Sequence, residues 1–239
     1  MILRVAASGS KGNCYTLEAD NGHYIILDCG VPYKEIQKAC GYKVGLIDFA
    51  LCTHEHLDHA VSIPHLDKHG IDTFGPPGLQ EKYPRALKLK AGTEARLCGW
   101  RVVPFFVPHT NNDGTPCENY AYLITQDQEM LLYMTDWMYC PFDLKKQYIN
   151  HFLIGVNYSE IDEDLEEANK KKHVYKGHAS LDTAKELIEH NMSEATKSVI
   201  ACHLSSSNAD AKRIENELKG IVDNKVLVGI AEKGKVFDL

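Results

Sequence analysis

Apolar positions along this chain come in short runs broken by glycine, proline and asparagine, a rhythm that predicts strands in the first half. Residues 2–6, 14–19 and 23–28 each read as a strand, with Asp20-Asn21-Gly22 as the hairpin turn between the last two. A helix is predicted from Pro32 to Cys40, opened by proline and closed by Gly41. The apolar strand 47–52 runs directly into Thr53-His54-Glu55-His56-Leu57-Asp58-His59, and a helix from His59 to His69 follows, closed by Gly70. Strands are predicted again at 94–97, 101–107, 119–125 and 130–135. The later part alternates: strand 152–156, helix 181–190, strand 197–202, helix 209–219, strands 225–229 and 234–237. That order suggests two similar halves, and two sheets packed face to face with helices outside would bury the apolar faces of both. No long Pro/Gly/Ser linker divides the chain, so a single domain over 1–239 is expected, with the charged stretch 160–172 as a mobile surface segment.

Composition narrows the class. Of 239 residues, 44% are hydrophobic and 25% charged, which excludes a disordered or collagen-like chain. No apolar run approaches the ~18–20 residues that span a bilayer. The opening Met1-Ile-Leu-Arg-Val-Ala is too short and too soon polar for a secretory signal. A cytoplasmic protein without a membrane partner is expected. Lys and Arg number 26 against 33 Asp and Glu, a net charge of −7, so a polyanion would need a local basic patch or bound metal. The eight cysteines are scattered without a C-x-x-C pair, which predicts free, mostly buried thiols and argues against a cysteine-based zinc site.

The candidate chemistry lies in His54, His56, Asp58 and His59. In a helix, positions i and i+2 point to different faces; in an extended segment they point the same way. Because this stretch leaves a strand, His54 and His56 can share a metal, while Asp58 and His59, at a helix start, face a second position. Imidazole and carboxylate suit zinc, manganese or iron. The motif alone supplies too few ligands. His109, Asp136 and His203 each follow an apolar strand as a lone polar residue, where loops carry function. Taken singly, each has an ordinary role, a hydrogen-bonded histidine or a capping aspartate. Together they make a constellation. His65 and His69, at i and i+4, are read as the outer face of their helix.

At this point the sequence resembles the metallo-β-lactamase-fold hydrolases, from the Asp28 turn to His203. The resemblance implies an αββα four-layer sandwich, an α+β fold, with the site at one edge of the sheets. It implies one metal on His54, His56 and His109, and a second on Asp58, His59 and His203, with Asp136 bridging. Asp28, in Leu27-Asp28-Cys29-Gly30, matches an acidic motif that orients the ligand loop rather than binding metal. The cofactors implied are two divalent ions, Zn or Mn, with Fe possible in the same ligand set. Asp136 and the Asp58-His59 pair look like the phosphodiesterase and glyoxalase branches. Ser8-Gly-Ser-Lys-Gly-Asn13, Gly177-His178-Ala-Ser180 and His203-Leu-Ser-Ser-Ser-Asn208 resemble WalJ (YycJ)-like and RNase Z-like proteins.

The expected function is therefore two-metal hydrolysis of a phosphodiester, most like a WalJ-type nuclease on DNA or RNA. Asp58 and His178 are the catalytic candidates, His178 protonating the leaving oxygen. Ser8, Ser10 and Asn13 are expected to contact substrate. Lys82, Arg85, Lys88 and Lys90, and Lys170-Lys171-Lys172 with Lys176, are candidate contacts to backbone phosphates. One alternative is a phosphodiesterase for small or cyclic nucleotides, favoured by the acidic charge and the lack of an RNase Z arm, with Tyr120 or Tyr158 stacking a base. Another is a non-catalytic metal-binding module. A homodimer is a further expectation, since relatives of this fold often pair.

Overall fold

The computed structural model describes residues 1–111, 113–159 and 177–239. The charged stretch from 160 to 172 and Lys176 lie outside them. In chain order the strands are β1 (Ile2–Ala7), β2 (Cys14–Glu18), β3 (Tyr24–Leu27), β4 (Ile47–Leu51), β5 (Thr73–Gly75), β6 (Leu87–Lys88), β7 (Ala95–Leu97) and β8 (Trp100–Phe106). They continue as β9 (His109–Thr110), β10 (Pro116–Cys117), β11 (Tyr120–Gln126), β12 (Glu129–Met134), β13 (His151–Gly155), β14 (Ser198–Cys202), β15 (Leu227–Ile230) and β16 (Val236–Asp238). The helices are α1 (Tyr33–Ala39), α2 (Leu57–Ala60), α3 (Ile63–Lys68), α4 (Pro77–Lys82), α5 (Leu181–Asn191) and α6 (Ala211–Ile221).

Two seven-stranded sheets form, in the orders β16-β1-β2-β3-β4-β5-β6 and β15-β14-β13-β12-β11-β8-β7, with β9 and β10 as a separate pair. Each sheet is antiparallel on one side and parallel on the other: β3-β4-β5-β6 and β12-β13-β14-β15 are the parallel halves. Parallel neighbours need crossovers, and helices supply them on the outer face of each sheet. Between the sheets lies a core of alternating side chains such as Leu3, Tyr15, Leu17, Leu27, Trp100, Tyr122, Tyr133 and Leu153. A second cluster, with Ile36, Leu66 and Leu79, packs α1, α3 and α4 on the first sheet. A third, with Leu187, Ile188, Ile214 and Leu218, packs α5 and α6 on the second. This is the expected αββα sandwich. The halves are not cleanly separate, however, because β16 returns from the second half to pair with β1.

Three local differences have physical causes. The helix expected over 59–69 is two helices, α2 and α3. Pro64 has no N–H to bond back to Ala60 O, and Ser62 between the helices bonds out to the 29–31 loop: its N–H donates to Cys29 O at 3.0 Å and its hydroxyl to Val31 O. The segment β5-α4-β6 leaves no periodic pattern in the sequence, because Gly75-Pro76-Pro77-Gly78 carries turn chemistry while only Leu79 of α4 is buried. Tyr120 and Tyr158 are buried, with Tyr120 in the core between the sheets, so neither is placed to stack a base. All eight cysteines are free, and six are buried. Among the described residues no helix is long and apolar enough to cross a membrane.

Candidate metal centre

The parallel strands deliver their C-terminal ends to one edge of the sandwich, where the loops after β3, β4, β8, β12, β13 and β14 meet. His54 and His56 leave β4, His109 begins β9, Asp136 follows β12 and His203 follows β14. Two groups of ligand atoms result: His54, His56 and His109, and then Asp58, His59, Asp136 and His203, the atoms of each group lying within 4.8 Å of one another. Asp136 lies between the groups, its Oδ2 2.9 Å from His59 Nε2 and 3.7 Å from His54 Nε2. His178 joins them, its Nδ1 3.0 Å from Asp136 Oδ1.

Hydrogen bonds behind the rings determine which nitrogen each histidine presents. Thr53 donates its hydroxyl to Asp28 and so can accept Nδ1–H of His54 at 3.0 Å, turning Nε2 inward. His109 donates Nδ1–H to Gly177 O at 2.9 Å and also presents Nε2. His56 is reversed: its Nε2–H donates to Asn111 Oδ1 at 2.8 Å, so Nδ1 faces inward, 3.4 Å from His109 Nε2. His59 donates Nδ1–H to Asp28 Oδ2 at 2.7 Å and presents Nε2. Nε2 of His54 and Nε2 of His203 are buried and have no hydrogen-bond partner among the described residues. A buried imidazole nitrogen left without a partner is costly. A divalent cation fits that donor set, and borderline ions such as zinc or manganese suit imidazole mixed with carboxylate.

Asp28 anchors the arrangement. It is fully buried and accepts from the Thr53 N–H at 2.8 Å and the Tyr133 hydroxyl at 2.6 Å as well as from His59. Its backbone is left-handed, φ 54°, as is that of His203, φ 53°. Two non-glycine residues in that sparsely populated region, both in the cluster, are local strain held by their surroundings. Gly30 lets two loops touch: a Cβ there would sit 1.7 Å from Asp58 O. Gly30 N–H donates to Asn13 O, and Asn13 N–H donates to Asp58 O at 2.7 Å.

The electrostatics follow from burial and neighbours. Burial holds His54 well below the usual histidine range, with neighbouring imidazoles adding to it. Burial likewise brings His109 down to about 4. His59 goes the other way: burial opposes its charge, but Asp28, Asp136 and Asp58 together hold it well above the ordinary value. Burial disfavours ionised Asp136, yet His203 and His178 keep its carboxyl well below the usual range.

The remaining expected residues are placed as follows. Asn13 is buried under the cluster, not at a substrate rim: its Oδ1 accepts from Gly9 N–H at 2.9 Å, and its amide nitrogen lies 3.1 Å from His59 Nε2. Ser8 is half-buried and accepts from His203 N–H at 2.9 Å and from the Tyr15 hydroxyl. Ser10 is exposed. Lys82 and Arg85 are exposed, Lys82 Nζ donating to Glu55 O at 3.0 Å and Arg85 pairing with Asp67. Three asparagines that sequence reasoning missed each meet a different member of the cluster. Asn111 meets His56, Asn119 donates to the Asp136 carbonyl, and the Asn157 amide lies 2.9 Å from His203 Nδ1.

Residues 23–203 match the family described as Beta-lactamase superfamily domain. The chain belongs to that family. It is 27% identical over 136 residues to a UPF0173 protein of Pyrococcus furiosus, an alignment covering 54% of this chain and 58% of that protein, so the chain spans little more than half the relative's length. Among solved structures it is similar to the metallo-β-lactamase-fold protein YhfI of Bacillus subtilis, with TM-score 0.76, 16% identity and coverage of 99% and 98% of the two chains. Zn(2+)-bound PqqB of Methylobacterium extorquens gives 0.73 at 14% identity, covering both chains fully. The short form of human tRNase Z gives 0.69 at 15%, covering 100% of this chain and 99% of that one. At such identities the likeness is one of fold, the metallo-β-lactamase fold.

Proposed function

We propose that the chain is a two-metal phosphodiesterase, of the WalJ-like nuclease kind, acting on DNA or RNA. The observation that carries this is the pair of adjacent ligand groups, with Asp136 of the second 3.7 Å from His54 of the first, each histidine turned inward by a hydrogen bond or lacking, among the described residues, a hydrogen-bond partner for its inward nitrogen. The first group, His54, His56 and His109, would hold one divalent ion; Asp58, His59 and His203 would hold the second, with Asp136 between them. Bound there, two such ions supply Lewis acidity to a phosphoryl group and lower the pKa of water toward neutrality. The fold likeness to tRNase Z supports a phosphodiester as substrate.

The chain's own side chains do the rest. Asp58, 27% exposed at its side chain where Asp136 is 3% exposed, faces incoming substrate and holds a proton of the attacking water. His178 sits beside Asp136 and near His109, with ring centroids 5.2 Å apart, and its side chain is 13% exposed. With Nδ1 held at Asp136, Nε2 carries the proton to the leaving oxygen. The test is turnover of bis(p-nitrophenyl) phosphate with Mn or Zn added. The expected result is activity abolished by chelation and by Asp136→Ala or His56→Ala, and lowered roughly 10²–10⁴-fold by His178→Ala. Full activity in Asp136→Ala, or after chelation, overturns the reading.

A further inference from the structure

A cavity of about 460 Å³, lined by none of the candidate ligand residues, opens on the helix-covered face of the first sheet, between α1, β1 and the 233–235 turn into β16. Its charge is unlike that of the rest of this acidic chain. Arg4, Lys38, Lys43, Lys233 and Lys235 line it, against the single carboxylate of Glu35. Glu35 is shared, 2.6 Å from Lys38 Nζ and 2.7 Å from Lys233 Nζ. Arg4 pairs with Glu18 at 2.6 Å and Lys235 with Glu232 at 2.9 Å. Even with these neighbours counted, five cations face three carboxylates.

Two independent features extend the cavity. Tyr42, between the lining residues Gly41 and Lys43 in the chain, is 66% exposed, and its left-handed backbone, φ 63°, turns the loop there. Lys34 is exposed one helical turn before Lys38 on α1, and Lys11 is exposed on the 8–13 loop that bonds to Asp58. Exposed cations therefore lie along α1 beside the cavity, and another lies on the loop that bonds to Asp58. A line of lysines ending at an open aromatic ring is the chemistry that tracks a phosphate backbone and stacks an unpaired base. A duplex offers no free base face to such a ring.

We infer that this cavity is an exosite for single-stranded nucleic acid, holding the strand whose cleavage occurs at the metal centre. The inference rests on the phosphodiesterase reading and specifies its polymer substrate as single-stranded. Binding is read separately from turnover, by fluorescence anisotropy of a labelled, hydrolysis-resistant phosphorothioate 12-mer on the full metal-loaded chain. The triple variant Lys34→Gln/Lys43→Gln/Lys233→Gln is expected to keep wild-type turnover of bis(p-nitrophenyl) phosphate. Losing three phosphate contacts removes about 2 from the salt exponent, so wild-type affinity should fall about 20-fold more than the variant's between 50 and 200 mM salt. Tyr42→Asn, which tolerates the left-handed backbone, should weaken binding roughly tenfold at either salt. Unchanged affinity and salt slope in the triple variant overturn the exosite and leave the metal-centre reading standing. So does uridine monophosphate binding as tightly as the 12-mer, because the cavity would then be a mononucleotide site. Absence of small-ester turnover in the metal-loaded wild type strikes the metal-centre reading instead.

Discussion

The second sheet carries buried histidines at both of its ends, and the two ends differ in how their nitrogens are satisfied. At the N-terminal end of β13, His151 is fully buried and both ring nitrogens are partnered: Nδ1 with Ser198 Oγ at 2.9 Å, Nε2 with Glu129 Oε2 at 3.1 Å. Lys197 closes the network on Glu129. Serine, histidine and glutamate in a row imitate a catalytic triad, yet Ser198 is buried and no substrate could reach it. At the C-terminal end, His203 after β14 is also buried, beside His54, which comes in from β4 of the first sheet; among the described residues each has an inward nitrogen without a hydrogen-bond partner, facing the other candidate ligand atoms. Burial of histidine is thus not the functional signal. Convergent, unsatisfied nitrogens are.

The largest test of that contrast is Gly30→Ala. A methyl placed 1.7 Å from Asp58 O must push the 28–31 and 58–62 loops apart, and a shift of about 1 Å at a reacting centre costs roughly a hundredfold. Loss of both metal content and turnover is expected, read by elemental analysis and by bis(p-nitrophenyl) phosphate hydrolysis. Retained metal would mean that the loops can yield without moving ligands. Next is Asp28→Asn, which keeps the shape but removes the charge behind His59 Nδ1. Metal affinity should weaken about 10–100-fold by competition titration, whereas Glu129→Gln, the matching change behind His151, should leave it unchanged. Equal effects at the two ends would erase the distinction.

Metal addition itself separates the ends by stability. An ion at a hundred times its dissociation constant stabilises the fold by about 2.7 kcal/mol. For a chain of this size that is a rise of roughly 5–10 °C in melting temperature, expected in wild type and in His151→Gln and lost in His54→Ala.

Which residues come together was legible in the sequence where local geometry carries the information. Residues two apart in an extended segment share a face, so His54 and His56 could be paired on paper. A lone His or Asp at the end of an apolar strand is visible without coordinates, which marks His109, Asp136 and His203 as candidates. The asparagines were illegible because an asparagine in a loop is ordinary and its partner is remote: Asn111 meets His56 across 55 positions, and Asn157 meets His203 across 46. Asn13 failed for the same reason, its Ser/Gly setting suggesting an open rim while the fold buries it. The pairing of β16 with β1 also escaped the pattern, since periodicity describes a strand but not its neighbour.

The smallest expected effect belongs to the N-terminal end of β13 and concerns acid. Burial brings His151 down to about 4, against the partial support of Glu129. The folded chain therefore holds it neutral at a pH where the unfolded chain, with a value near 6.5, takes up a proton. Its contribution to stability is complete above about pH 6.5, declines as pH falls toward 4 and is lost below that. Because Glu129 is part-exposed, the full linkage value is discounted to roughly 1–2 kcal/mol. Burial also brings His109 of the candidate metal centre down to about 4, so wild type alone would not isolate the effect. The measurement is the difference in urea midpoint between pH 7 and pH 4.5 for wild type minus the same difference for His151→Gln, both with chelator. A smaller acid loss in the variant is expected; identical losses would place the acid sensitivity of this sheet wholly at its ligand-bearing end.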